Sequence, residues 1–418
     1  MTSAPVDLFA PGYLADPYPT YRWLRASDPV HHLGGDYWVV SRYHDVLRVL
    51  RNPTVMSSAL GYRGMIGDAS TRLAAQSDQP VNVADTGIGM IQQAFNGLRV
   101  LISSDPPDHT RLRRLVSREF TPRSIAAMEP RVQTVCERLI AELLDARVDG
   151  CVDVWEHLSY PLPTMVIAEL LGIEPERRAD FKRWSDAVVN DMSLGGGGDI
   201  SRGAIHALEM FQYFETMIAA RRKSPGSDLI SILVTRPPEG DEPLSTAELV
   251  AFCVLLLIAG NETTTNLLGN FFEAMHDFPD EQSIVRADPS LVPAVVEETL
   301  RYDSPIQGIW RGLRQPAEVG GVELPQEARV MVLFASANRD EAVFGEDAEV
   351  FRAQRIPRDH IAFGNGIHLC LGAALARLEA RVAISTLLAR TSWFERAGEP
   401  VRALSPVLRG VRSQRLRL

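Results

Sequence analysis

The sequence predicts a mainly α-helical protein with small β-sheets, folded as a single large domain over residues 1–418. Three observations carry that expectation. Apolar residues recur at helical spacing almost without a break from residue 109 to residue 222. One segment, 249–259, is apolar nearly all round and so belongs in a protein interior. The β-favouring pieces are few and short. At ~150 residues per domain this length would allow two or three domains, but no internal repeat or linker interrupts the chain.

In chain order, proline and aromatic residues crowd the stretch ADPYPTYRWLRASDPVHHL. The segment DYWVVSRYHDVLRVLRNP then passes from β-favouring residues to a helical pattern, so a short sheet is expected near the N-terminus. Residues 54–102 are irregular, with one helix-like piece at 88–95, and loops of this length are usually binding loops or disordered. Helices are expected over 109–119, 125–147, 158–171, 175–192 and 204–222. The GGGG run at 195–198 reads as a hinge or a plain flexible loop. Ser245-Thr-Ala-Glu248 has the form of a capping box, placing the start of a long central helix that runs to about Asp277. A helix over 291–302 precedes β-favouring pieces at 307–312, 317–322 and 328–333. An irregular stretch then leads to Phe363, and a last long helix follows Cys370 to about Arg390.

Composition narrows the function classes. The 45% apolar and 23% charged content is that of a globular protein, which excludes disorder and collagen-like repeats. A net charge of −10 argues against a general nucleic-acid binder. The apolar run ending at Gly260 is shorter than the ~20 residues that cross a bilayer, and the N-terminal residues lack a secretory pattern, so no membrane span and a cytoplasmic location are expected. Four cysteines, none in a C-x-x-C pair, are too sparse for a disulfide scaffold or a cysteine-rich zinc site. A lone reactive thiolate remains.

That thiolate has a candidate in FGNGIHLCLG, residues 363–372. Glycines let the loop approach a flat cofactor, and Cys370 stands at the start of a helix, where backbone N–H groups and the positive dipole end favour a bound or ionised sulfur. The segment fits F-x-x-G-x-[HR]-x-C-x-G, and on this motif the chain resembles the cytochrome P450 family. Further motifs appear in the family's order over most of the chain: Glu298-Thr-Leu-Arg301 as the ExxR element, His109-x-x-x-Arg113 after DPPD, and Ala259-Gly-Asn-Glu262-Thr263 in the central helix. A carboxylate and a hydroxyl in the most apolar helix are costly unless they are hydrogen-bonded, so their presence hints at function.

The resemblance implies a P450 fold and haem b (iron protoporphyrin IX) ligated through iron by Cys370, with His109, Arg113, Arg311 and His368 binding its propionates. It implies that Glu298, Arg301 and Arg355 brace the haem loop. Glu262 would relay protons, Thr263 would hold dioxygen and its water, and the small Ala259 and Gly260 would leave room beside the iron. Substrate contacts by family position are Met90, Phe95, Leu255, Ile258, Ala259, Gln307, Ile309, Val407 and Leu408.

The implied activity is that of a monooxygenase placing one atom of O2 into a small, largely apolar organic substrate by hydroxylation or epoxidation, as a natural-product tailoring step. Catabolic, xenobiotic or fatty-acid hydroxylation, a peroxide-using enzyme and a non-catalytic haem-thiolate sensor are the alternatives. With no flavin or ferredoxin segment attached, electrons from NAD(P)H would arrive through a separate ferredoxin and reductase, the protein itself being a monomer. Arg111, Arg114, Arg118, Arg377 and Arg381 could form the basic docking face. The family pattern is broken at Glu341, where proline is common, and at Arg352, where an acid is frequent; both leave the path of the neighbouring chain open.

Overall fold

The computed structural model describes residues 6–62, 100–192, 200–235 and 242–418. Met90 and Phe95, the helix-like piece at 88–95 and the GGGG run lie outside the described residues. Contacts divide the chain into two compact units, each drawn from separated stretches. The first comprises Met1–Gly64, Glu129–Tyr160 and Thr263–Leu418, and the second Met65–Met128 and Pro161–Glu262.

The first unit carries every described strand. Its largest sheet has the order β1 (Val30–Gly34), β2 (Tyr37–Val40), β8 (Arg329–Val332), β5 (Ile309–Leu313), β3 (Met56–Ser57). Only β2 and β8 run parallel, with Val40 opposite Val332; β5 returns antiparallel, with Arg311 opposite Val330. Alternation of side chains explains why these strands read as continuous apolar runs. Val40, Val330 and Val332 pack on one face with Val46 and Leu50 of a helix, Tyr43–Leu50. Val39, Met331 and Leu333 pack on the other with Tyr21 and Leu24 of the helix Tyr18–Ser27. The sheet is therefore buried on both sides.

The expected strand at 317–322 is instead a hairpin, β6 (Ala317–Val319) and β7 (Val322–Leu324). Gly320 and Gly321 form its turn with φ of 57° and 82°, the pair of positive values that a tight type I′ connection needs. Near the C-terminus, β12 (Arg415–Arg417) lies between β4 (Cys151–Asp153) and β9 (Glu395–Arg396), and β10 (Val401–Arg402) pairs with β11 (Val411–Ser413). Strands of two or three residues are too short to show alternation, so sequence reading passed over them.

Helix ends follow local chemistry. The single helix expected over 125–147 is two, because Pro130 has no N–H to continue a helix begun at Pro122. Thr121 caps the first, Pro122–Ala126, by accepting the Ser124 N–H at 3.2 Å, and the second runs Glu129–Asp145. Its buried face, Val132, Cys136, Leu139 and Leu143, packs on the long helix Ala373–Arg390. Similarly a π-turn, Trp155–Ser159, precedes the helix Pro161–Leu171 in place of one continuous element from 158.

The capping box forms as read. Glu248 Oε2 accepts the Ser245 N–H at 2.8 Å, and Ser245 Oγ accepts the Glu248 N–H at 3.1 Å. The central helix then spans Thr246–Asp277, 32 residues. By length and composition alone it is long and apolar enough to cross a membrane, a test that the core helix of a globular protein also passes. Its polar side chains are nevertheless built into protein. Within the first unit, Asn270 donates to the Asp303 carbonyl at 2.8 Å, and Glu273 accepts from Arg396 and Arg402 at 3.2 and 3.1 Å. It reads as a core helix.

One buried carboxyl is incompletely hydrogen-bonded. Glu379, inside the helix Ala373–Arg390, has an Oε2 without a hydrogen-bond partner, and burial pushes its carboxyl up to about 8. Nearby Cys136 is pushed up to about 12, by burial first and by the Glu379 charge second. A carboxyl that ionises near 8 folded, against an ordinary value of 4.5, withdraws stability as pH rises through that interval. Denaturant melts should show a loss on the order of 2–3 kcal/mol between pH 6 and 9, and Glu379→Gln should flatten that slope.

Candidate active site

Cys370 sits at the end of a tightly determined loop. Its N–H donates to the Phe363 carbonyl at 2.9 Å, closing the turn. Gly366 has a φ of +71°, and a Cβ there would stand 2.5 Å from the Leu50 carbonyl oxygen, so neither backbone nor space admits a side chain. Asn365 accepts from Arg51 Nε at 2.9 Å, tying the loop to the first helical layer. Two residues after the sulfur, Gly372 begins the helix Ala373–Arg390, whose N-terminal dipole favours negative charge.

The thiol is exposed, and beside it Leu369 is 47% exposed. Among the other cysteines, Cys136 and Cys253 are buried and Cys151 is half-buried. No cluster of three or more His, Cys, Asp or Glu side chains suited to a metal ion occurs among the described residues. A single sulfur at a helix start, beside an exposed leucine, has the chemistry to give one ligand to a metal whose other ligands come from elsewhere.

The helix Val292–Tyr302 carries two consecutive glutamates that tie down the chain on the way to this loop and on either side of it. Glu298 and Arg301 are both fully buried and pair in bidentate fashion, Nε and Nη2 each 2.7 Å from a carboxylate oxygen. Arg355 makes the third member, its Nε 3.2 Å from Glu298 Oε1. The remaining Arg301 donors reach the carbonyls of Asn338, Ala348 and Val350 at 3.0, 2.7 and 3.2 Å. Both departures from the family pattern are accommodated here. Glu341 opens a short helix capped by Asp340 and pairs with Arg25 at 3.1 Å; Arg352 pairs with Asp347 at 3.3 Å while its N–H donates to Glu298.

Glu297 was missed by sequence reading; its only signal was the doubled acid before the ExxR arginine. It accepts Arg377 Nε and Nη2 at 2.6 and 2.7 Å, and His360 Nε2 at 2.8 Å. Burial opposes its charge, but these donors hold its carboxyl down at about 2.

On the central helix, Leu249–Val254 and Leu257 are buried. Leu255, Ile258, Glu262 and Thr263 are half-buried and Ala259 is exposed. The helix is thus apolar nearly all round yet leaves one strip, at i, i+3, i+4 and i+7, that the chain does not fully cover. Asn261, on the closed side, donates to Ser185 Oγ at 2.6 Å. Gly260 has a packing reason of its own: a Cβ there would meet Ile167 Cδ1 at 2.8 Å. Also in the second unit, His109 and Arg113 share a face of the helix Asp108–Val116; burial, then the Arg113 charge, lowers the imidazole pKa.

In the first unit, Arg311 is buried on β5, and His368 shares a 2.9 Å hydrogen bond with Ser58. The segment 305–309 runs beside 407–409: the Gln307 N–H donates to the Val407 carbonyl at 2.7 Å, and Ile306 bridges to Leu408. Ile309, Val407 and Leu408 are half-buried. Gln307, expected to touch substrate, is 2% exposed and spends its amide inside the protein, accepting from Tyr21 at 3.0 Å and donating to the Ser304 carbonyl at 2.7 Å. Among the expected docking arginines, ion pairs hold Arg111, Arg377 and Arg381. Arg111 pairs with Glu248 at 2.7 Å, Arg377 with Glu297, and Arg381 with Glu129 at 2.7 Å, while Arg114 and Arg118 are exposed.

Fold and loop define a mainly helical protein with one exposed cysteine at the start of a long helix. A family model described as Cytochrome P450 matches residues 200–411. The chain is 36% identical to cytochrome P450 107B1 of Saccharopolyspora erythraea, covering 94% of this chain and 92% of that protein. It is 37% identical to the 6-deoxyerythronolide B hydroxylase of the same organism, covering 93% and 92%. The solved structure of cytochrome P450 CYP109Q5 from Chondromyces apiculatus superimposes with a TM-score of 0.83 at 36% identity, covering 99% and 97% of the two chains. The chain belongs to the cytochrome P450 family. It is a P450 monooxygenase, and membership implies haem, O2 and electrons supplied by redox partners.

The residues fit that group. A Cβ at Gly372 would meet nothing within 4 Å, the thiol beside it is exposed, and cations for carboxylates occur in both units. Replacing Arg301 by Lys leaves a buried carboxylate with a monodentate partner; breaking such a pair costs ~3–5 kcal/mol. Arg301→Lys should therefore lower the thermal midpoint by several degrees or abolish folding, read by circular dichroism. Gly366→Ala should act in the same direction.

Proposed function

We propose that this protein hydroxylates or epoxidises a small, largely apolar organic molecule in a natural-product tailoring step. The observation that carries the chemistry is the exposed Cys370 sulfur on a loop closed by the Phe363 carbonyl. The substrate class is supported by the uncovered strip of Leu255, Ile258 and Ala259, apolar apart from the Glu262 and Thr263 that end it, and by the relative named as a 6-deoxyerythronolide B hydroxylase.

Haem, when bound through Cys370, supplies activation of O2, so that with two electrons and two protons one oxygen atom enters the substrate and the other leaves as water. Cys370 Sγ would hold the iron and supply it with charge. His109, Arg113, Arg311 and His368 hold the propionates by charge-assisted hydrogen bonds. Thr263 Oγ1 holds a proton and its water at the reacting end of the strip, and Glu262 passes protons in from solvent, a shuttle suited to a carboxylate one residue away. Leu255, Ile258, Ile309, Val407 and Leu408 orient the substrate and keep bulk water from it. Electrons from NAD(P)H come through a separate ferredoxin and reductase in the cytoplasm, Arg114 and Arg118 offering the exposed cations, and the protein acts as a monomer. The paired acid and hydroxyl favour this reading over a peroxide-using enzyme or a sensor, neither of which needs a proton path.

Cys370→Ser should abolish the thiolate-type band of the reduced carbonyl complex; persistence of that band would remove the ligand assignment. Thr263→Ala should lower product formed per NAD(P)H consumed, measured with a surrogate ferredoxin system and a substrate chosen from a library by its optical shift. Unchanged coupling would rule out the hydroxyl's role.

A further inference from the structure

Glu297 stands next to the buried brace of Glu298 and Arg301 but faces a different part of the chain. Its carboxylate collects three donors from two places: His360, three residues before Phe363, and Arg377, seven residues after Cys370. The guanidinium of Arg377 also lies over the Phe363 ring, 4.5 Å from its centroid, and His360 Nδ1 accepts the Ala362 N–H at 3.3 Å. Phe363 is the residue whose carbonyl takes the Cys370 N–H.

We propose that Glu297 is a positioning residue for the iron-ligating loop: through Arg377 and His360 it clamps both ends of the 360–377 stretch, holds Phe363, and thereby fixes where the Cys370 sulfur stands. The inference rests on the haem-thiolate reading of Cys370. Arg377 is 42% exposed and Glu297 24%, so the pair stands at the edge of the protein interior. Its geometry is nonetheless fully specified, with a bidentate fork on one side, an aromatic ring under the guanidinium and an imidazole on the second oxygen. Outer partners of this kind orient a metal ligand, and removing them costs about 10–100-fold in metal affinity.

The test uses the haem-loaded protein. Transfer of haem to an excess of apomyoglobin, and the share of the reduced carbonyl complex showing the thiolate-type band, are measured for Glu297→Gln, Arg377→Gln and the double variant. Haem should leave about 10–100 times faster in each single variant, and no faster in the double than in the worse single one. The thiolate-type share should fall in parallel. Glu297→Asp, which keeps the charge on a shorter stem, should recover part of both and serves if Glu297→Gln does not fold. Phe394→Leu, in the separate aromatic cluster with Phe271 and Phe272, is the stability control. Haem loss within about twofold of the parent in both single variants would overturn the proposal. So would an equal loosening in Phe394→Leu at matched thermal midpoint. Failure of the ligand assignment itself shows separately, as a thiolate-type band that survives in Cys370→Ser.

Discussion

A carboxylate and a guanidinium without access to water, Glu298 and Arg301, set the terms for the rest of the first unit. Burying two charges costs several kcal/mol per ion unless every donor and acceptor is matched. Here the match is met by parts of the chain far away in sequence: the carbonyls of Asn338, Ala348 and Val350, the Arg352 N–H and Arg355. An irregular stretch with little secondary structure of its own is thus held in one path by the need of a buried charge. The path continues to the sulfur, since Asn338 accepts the Ile361 N–H at 2.7 Å and donates to Ser304 Oγ at 2.9 Å. The loop bearing Cys370 begins two residues later.

Signals that are local and chemical were legible in the sequence. The Ser245/Glu248 box, the ExxR spacing and the glycine pattern before Cys370 each state a geometry within a few residues, and each formed. The predicted span of the central helix also matches its observed ends. Signals that depend on distant partners were not legible. Nothing near Gln307 reveals that Tyr21 takes its carbonyl oxygen, and nothing near Arg111 or Arg377 reveals a carboxylate waiting for either. Periodicity ran through Pro130 because the apolar spacing continues on both sides of it, while the backbone does not. The strands after residue 394 are stabilised by pairing with residues 151–153 and with one another, a contribution that two or three residues cannot announce.

The central helix shows how an apolar interior carries reactive polarity. Asn270 and Glu273 are locked to neighbours in the first unit, and Asn261 to Ser185 in the second, so their cost is offset where they sit. Glu262 and Thr263 differ in being only half-buried, at the end of the strip that Leu255 opens.

Gly260 bears on how the protein could be re-engineered for bulkier or slimmer guests. Because Ile167 Cδ1 occupies the room a methyl at position 260 would need, a larger residue there would shift the Pro161–Leu171 helix. Under the proposed substrate assignment, redesign should start from Leu255 and Ile258, which are half-buried and stand clear of that helix-to-helix seam.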